Sequence, residues 1–295
     1  MFGYMFFGWF CEKGLKQGVF WAVMIYLVGA LNDVLAKFLG NRLHAVEIAF
    51  FRFFFSAIIV LIPMLRSLKI GQNLFKSNIH GLHITRGVLG ALALGLCCYS
   101  VNIMPLAENT TILFSEALFM LPLTAIFLKE KVSKISVLAT VIGFLGLVLM
   151  FRPKSENINI LAFIPTIAAF LFAVMNIIIK KMVDNKENTL TMLFYFGLYA
   201  TVMSAMVLHK YWAVPKLHEL LLIFLLGIGA NLIQLFIFLA YRATTASSIS
   251  PIRYVELPFA VLFGLIFFNQ IPDITTIIGA ALIITGTFVA SRKSR

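Results

Sequence analysis

Glu116 and Glu256 each lie deep inside a long apolar run, about eleven residues from either end, too far for the side chain to reach water along its own helix. An ionised group at bilayer depth costs at least about 2.5–3.5 kcal/mol, so it must face a cavity or a partner. Arg253 precedes Glu256 by three residues on the same helical face, with Tyr254 beside it. Carboxylates hold cations, and a guanidinium fork holds a carboxylate, so this grouping suits binding of a charged small molecule. The stretch Ser247-Ser248-Ile249-Ser250-Pro251 leads into it. Pro251 removes a backbone donor and frees a carbonyl, and discontinuous helices at mid-depth are where transporters bind substrate.

Other polar groups occur inside apolar runs. Asp33 and Lys37 are four apart on one face and can pair. Glu47 and Arg52 lie near one end of a run, and Arg86 about a turn into the next, so snorkelling competes with substrate contact at each. Tyr254, Tyr99, Phe114 and Trp21 offer aromatic faces, although with 30 Phe in the chain any one aromatic more often faces lipid or core. Gly87, Gly90 and Gly95 allow close helix approach. The sequence contains no Ser-His-Asp set, HExxH, P-loop or Cys/His cluster. No cofactor, no metal and no enzymatic activity are expected.

The elements that position these groups follow from composition. The chain has 295 residues, is 61% hydrophobic and 12% charged, with a mean hydropathy of +0.98. A soluble domain carries about 25% charged residues, so the lipid bilayer is the solvent. Apolar runs predict an all-α integral membrane fold with transmembrane helices at about 19–38, 46–65, 82–101, 107–128, 135–151, 159–179, 190–208, 218–240, 245–268 and 273–290. Residues 1–18 read as an N-terminal interfacial segment and 291–295 as a basic tail. With the N-terminus cytoplasmic, fifteen Lys and Arg fall on the inner side against five outside, which places both termini in the cytoplasm of a multi-pass inner-membrane protein. The formal charge of +12 is therefore topological and implies no nucleic acid. Cys11, Cys97 and Cys98 read as reduced packing residues.

The two halves align. Asp33 and Lys37 fall on Asn176 and Lys180 at an offset of 143, residues 112–116 fall on 252–256 at 140, and Gly146 falls on Gly286 at the same offset. Five helices per half invert the second copy, giving two repeats, 19–151 and 159–290, of opposite orientation. Glu116 and Glu256 then occupy matching positions, expected to face each other across a pseudo-two-fold axis.

With these features the chain resembles the drug/metabolite transporter superfamily, in the ten-helix class made of two inverted EamA repeats. The run from Leu31 through Asn32, Asp33, Lys37, Gly40, Arg42 and His44, continuing to Glu47 and Arg52, resembles the S-adenosylmethionine transporters of obligate intracellular bacteria. So do His83-Ile84-Thr85-Arg86-Gly87 and Ile252-Arg253-Tyr254-Val255-Glu256-Leu257. The resemblance implies transport of S-adenosylmethionine in exchange for S-adenosylhomocysteine, and it adds Asn32 to the binding candidates. The substrate carries a sulfonium, an ammonium and a carboxylate, for a net charge near +1. Buried carboxylates suit the cations, and aromatic faces attract a sulfonium with about 0.5–2 kcal/mol. The alternatives are an EamA-type proton-coupled exporter or importer of amino acids, purines or cationic drugs and, more remotely, a membrane-embedded enzyme, which would need a nucleophile or metal site.

Overall fold

The computed structural model describes residues 14–40, 42–103, 106–151, 160–208, 212–269 and 271–292. Residues 1–13 of the expected interfacial segment and 293–295 of the basic tail lie outside the described residues. Among the described residues every regular element is helical, as lipid demands of backbone groups that must be satisfied within their own segment.

The helices are α1 (Leu15–Leu39), α2 (Ala45–Lys69), α3 (His80–Ile103), α4 (Leu106–Leu113), α5 (Glu116–Phe127), α6 (Lys134–Phe151), α7 (Phe163–Asp184), α8 (Thr189–Leu208), α9 (Leu217–Ala243), α10 (Ala246–Ile249), α11 (Glu256–Phe268) and α12 (Ile274–Arg292). A 3₁₀ turn, Ile160–Ala162, leads into α7, and a second, Ser250–Val255, joins α10 to α11. Apart from the breaks described below, the described residues of each apolar run marked from the sequence are largely helical. Among the described residues, seven segments are long and apolar enough to cross a membrane, and Lys134–Met150 and Ile274–Ala290 are shorter apolar helices. The helix expected over 159–179 instead runs on to Asp184, because Lys180 Nζ reaches Asp184 Oδ1 at 2.8 Å and supports the last turn.

Among the described residues two segments are broken, and both breaks fall immediately before a carboxylate. α4 stops at Leu113 and α5 begins at Glu116; the 3₁₀ turn stops at Val255 and α11 begins at Glu256. In the first break Ser115 Oγ donates to the Ile112 carbonyl at 2.5 Å. In the second, Pro251 supplies no N–H. Each carboxylate thus stands at the N-terminus of a half-helix, where the backbone dipole favours negative charge.

The packing is its own image under exchange of the halves. α1 packs on α9 as α7 packs on α3, α11 packs on α1 as α5 packs on α7, and α2 meets α8 and α6 meets α12 as self-paired crossings. At the α6–α12 crossing a Cβ on Gly146 would lie 2.8 Å from the Gly279 carbonyl oxygen. Moving each residue by the repeat offset gives the second contact of that crossing, where a Cβ on Gly286 would lie 3.1 Å from the Ala139 carbonyl oxygen. A Cβ on Gly279 would lie 2.6 Å from the Gly146 carbonyl and press on Met150 Cγ. Gly279→Leu is therefore expected to destabilise the protein by about 1–3 kcal/mol, the usual cost of overpacking, read as a lower unfolding midpoint in detergent. A parental midpoint would show that the two helices part freely.

Candidate functional site

A cavity of about 330 Å³ opens among α1, α2, α5, α7, α9 and the Ser250–Glu256 stretch, within the size range of ligand pockets. Its lining follows helical spacing. Tyr26, Gly29 and Asp33 share a face of α1, Phe172 and Asn176 a face of α7, and Ile233, Ile237 and Tyr241 a face of α9. In the 3₁₀ turn, side chains three apart eclipse, so Ser250, Arg253 and Glu256 all enter the cavity. Its lining includes the buried apolar groups Ile25, Met120 and Ile249, whereas Asp33 is exposed.

At the centre, Arg253 Nη1 donates to Glu256 Oε2 at 2.6 Å, and Arg253 Nε lies 3.4 Å from Glu116 Oε2, an ion-pair contact rather than an aligned hydrogen bond. Glu116 and Glu256 are thus joined through one guanidinium. That group also rests on the Phe114 ring at 4.7 Å and the Tyr26 ring at 5.6 Å. Asn176 Nδ2 donates to Glu116 Oε1 at 2.7 Å, and the Tyr241 hydroxyl donates to Asn176 Oδ1 at 3.1 Å. Gly29 gives Glu256 its room: a Cβ there would already touch Oε1 at 3.5 Å.

The expected site residues fall into two groups. Glu116, Glu256, Arg253, Asn32, Asp33 and Arg52 line this cavity. Asn32 is buried, with Nδ2 3.5 Å from the Leu226 carbonyl and its amide pressed against Gly229, so it fastens α1 to α9. Phe114 lies behind Arg253 as a ring support.

The other candidates lie elsewhere. Tyr254 points away from the cavity, because neighbours in a 3₁₀ turn diverge by about 120°. It is fully buried, fills the space left by Gly143 and stacks on Phe114 at 6.4 Å. Tyr99 is exposed and lines a separate groove with His44, Phe53 and Phe196. Arg86 is buried away from the cavity. Its Nη1 donates to the Met192 carbonyl at 3.1 Å and its Nη2 to Gln234 Oε1 at 2.7 Å, tying α3 to α8 and α9. Glu47 Oε1 accepts from Ala213 N at 3.1 Å, fastening the start of α2 to the segment before α9. Lys37 does not pair with Asp33; its Nζ lies over the Phe268 ring at 4.1 Å.

Tyr26, Asn176 and Tyr241 belong to the cavity but were not among the sequence candidates. Asn176 carried a signal, since it is the repeat partner of Asp33. The two tyrosines carried none among so many aromatics.

The cavity presents three carboxylates, Asp33, Glu116 and Glu256, and two guanidiniums, Arg52 and Arg253. With all five ionised its formal charge is −1. Coulombic balance therefore favours an occupant with one net positive charge.

The EamA-like transporter family matches residues 16–152 and again 159–292. The chain is 39% identical over 277 residues to an S-adenosylmethionine uptake transporter of Rickettsia conorii, covering 93% of this chain and 92% of that protein. The corresponding protein of Rickettsia bellii is 37% identical over 275 residues, covering 93% of each chain. The pseudopaline exporter CntI of Pseudomonas aeruginosa is 28% identical over 283 residues, covering 95% of this chain and 98% of the other. A solved crystal structure at 15% identity superposes with a TM-score of 0.76, covering 94% of this chain and 96% of its own, which speaks to the fold alone. Matched twice along almost its whole length, the chain belongs to the EamA-like transporter family.

Proposed function

We propose that the protein is a secondary transporter that carries S-adenosylmethionine across a bacterial inner membrane, in exchange for S-adenosylhomocysteine. Ten crossings in two inverted five-helix repeats bring the broken segments together at mid-depth, with both termini cytoplasmic, as the charge distribution favours. The observation that carries the reading is the cavity's one uncompensated negative charge, set among aromatic rings. It complements a substrate bearing a sulfonium, an ammonium and a carboxylate. The rickettsial relatives, identical at more than a third of positions, bear the name of transporters of that molecule.

The test is uptake of labelled S-adenosylmethionine by cells expressing the chain. Saturable uptake above vector controls is expected, suppressed by excess unlabelled S-adenosylmethionine or S-adenosylhomocysteine but not by free methionine or adenosine. Preloading the cells with S-adenosylhomocysteine should accelerate it. Uptake equal to that of controls would turn the reading toward another EamA-type cargo.

A further inference from the structure

The cavity's charged groups are not equally engaged. Arg253 serves two carboxylates. Arg86 is occupied by a backbone carbonyl and an amide. Arg52 lines the cavity, its Nε is buried without a hydrogen-bond partner, and its guanidinium donates none among the described residues; its ring neighbour, Phe53, is 5.9 Å away. A guanidinium held this way lacks the acceptor its fork is shaped for.

The acids show a matching gap. Under exchange of the halves, α7 takes the place of α1 and α5 that of α11, so the Asn176–Glu116 contact corresponds to Asp33 and Glu256. The first pair is satisfied, with an amide donating to a carboxylate at 2.7 Å. In the second, the position of the amide is held by an acid. Asp33 lies within electrostatic reach of Glu256, Arg52 and Arg253, and it accepts no hydrogen bond among the described residues. Asp33 thus has no hydrogen-bond donor and Arg52 no acceptor among the described residues, although each lies within reach of the other's charge.

Both helices are fixed here by the same stretch of α9. Asn32, next to Asp33, is pressed onto Gly229. Ser56, one turn beyond Arg52, donates through Oγ to Asn231 Oδ1 at 2.8 Å, and Asn231 Nδ2 donates back to the Ser56 carbonyl at 3.1 Å. The acid and the arginine are therefore presented from pinned helix turns, as a preorganised site requires.

We infer that Asp33, Glu256 and Arg52 form the subsite for a zwitterionic α-amino-acid head. The α-ammonium sits between the Asp33 and Glu256 carboxylates, and the α-carboxylate sits on the Arg52 guanidinium. Arg253 is then a positioning residue that aims Glu256. This assignment rests on the S-adenosylmethionine reading and adds which end of that molecule goes where.

The experiment measures binding to the purified full-length chain in detergent, using S-adenosylmethionine, its decarboxylated analogue, which lacks the α-carboxylate, and its desamino analogue, which lacks the α-ammonium. The parent is expected to prefer S-adenosylmethionine to either analogue by about tenfold or more, the range of a charge-assisted hydrogen bond. Arg52→Gln is expected to erase the preference over the decarboxylated analogue, because it loses the carboxylate's partner while its cavity, now of formal charge −2, holds that doubly cationic analogue at least as well as the parent does. Asp33→Asn should erase the preference over the desamino analogue. Arg52→Lys keeps the charge without the fork and should give an intermediate preference. A parental preference in Arg52→Gln, or equal loss of all ligands in both Arg52 variants, overturns the subsite. A parent that does not bind S-adenosylmethionine overturns the substrate reading, and the subsite falls with it.

Discussion

Arg253→Gln is expected to lower transport by about a hundredfold or more and to destabilise the folded protein. The Arg253 guanidinium is the link between Glu256, at 2.6 Å, and Glu116, at 3.4 Å. Removing one partner of a fully buried pair costs about 3–5 kcal/mol; this pair is only partly buried, so solvent lowers that cost to about 1–3 kcal/mol, with two carboxylates left behind. The formal charge of the cavity moves from −1 to −2, away from complementarity with a singly positive substrate. The double variant Arg253→Gln/Glu116→Gln returns that charge to −1 and should recover much of the unfolding midpoint. Transport should stay low, because Glu256 has lost the donor that fixes its carboxylate. If the double variant transports like the parent, Arg253 served only to neutralise charge. If the single variant transports like the parent, the centre of the site has been misplaced.

That Glu116 and Glu256 face one cavity was legible, because a carboxylate in the middle of an apolar run admits few explanations. Their relation through the repeat was legible too, and the same offsets recover the paired α6–α12 contacts at Gly146 and Gly286. Pro251 marked a break but not its kind. In a continuous α-helix Arg253 and Tyr254 diverge by about 100°, and the 3₁₀ turn sets which of them faces the cavity. Arg52, Arg86 and Glu47 look alike in sequence, each an ion near a helix end. What separates them are partners far along the chain: Ala213 for Glu47, Gln234 for Arg86, and an empty acceptor position for Arg52. Local spacing carries no record of such contacts. The Asp33–Lys37 pair failed for the same reason, since four-residue spacing permits an ion pair but Phe268, from α11, offers Lys37 its ring.

The two acids are equivalent by repeat and unequal by environment, and that inequality sets the second large effect. Glu116 receives the Asn176 amide at 2.7 Å, a bond that a glutamine oxygen would still accept. Glu256 accepts from Arg253 through Oε2 but has Asp33 as its counterpart and no amide donor in that place, so Oε1 is the oxygen left for the occupant. A unit charge about 4 Å from a cation is worth about 4 kcal/mol at an effective dielectric of 20. Screening in an open cavity leaves roughly half of that, more than a tenfold effect. Glu256→Gln is expected to weaken S-adenosylmethionine binding by about thirtyfold or more. Glu116→Gln should weaken it by about threefold, although both changes bring the cavity to the same formal charge of zero. S-Adenosylhomocysteine lacks the sulfonium but keeps the α-ammonium that Glu256 faces, so it should lose about as much as S-adenosylmethionine in Glu256→Gln, leaving the preference between the two ligands near the parental one. Equilibrium binding of both ligands to both variants decides the matter. Equal losses in the two variants would mean that net charge alone governs recognition, and the placement of Glu256 opposite Asp33 would then have no part in selecting the cation.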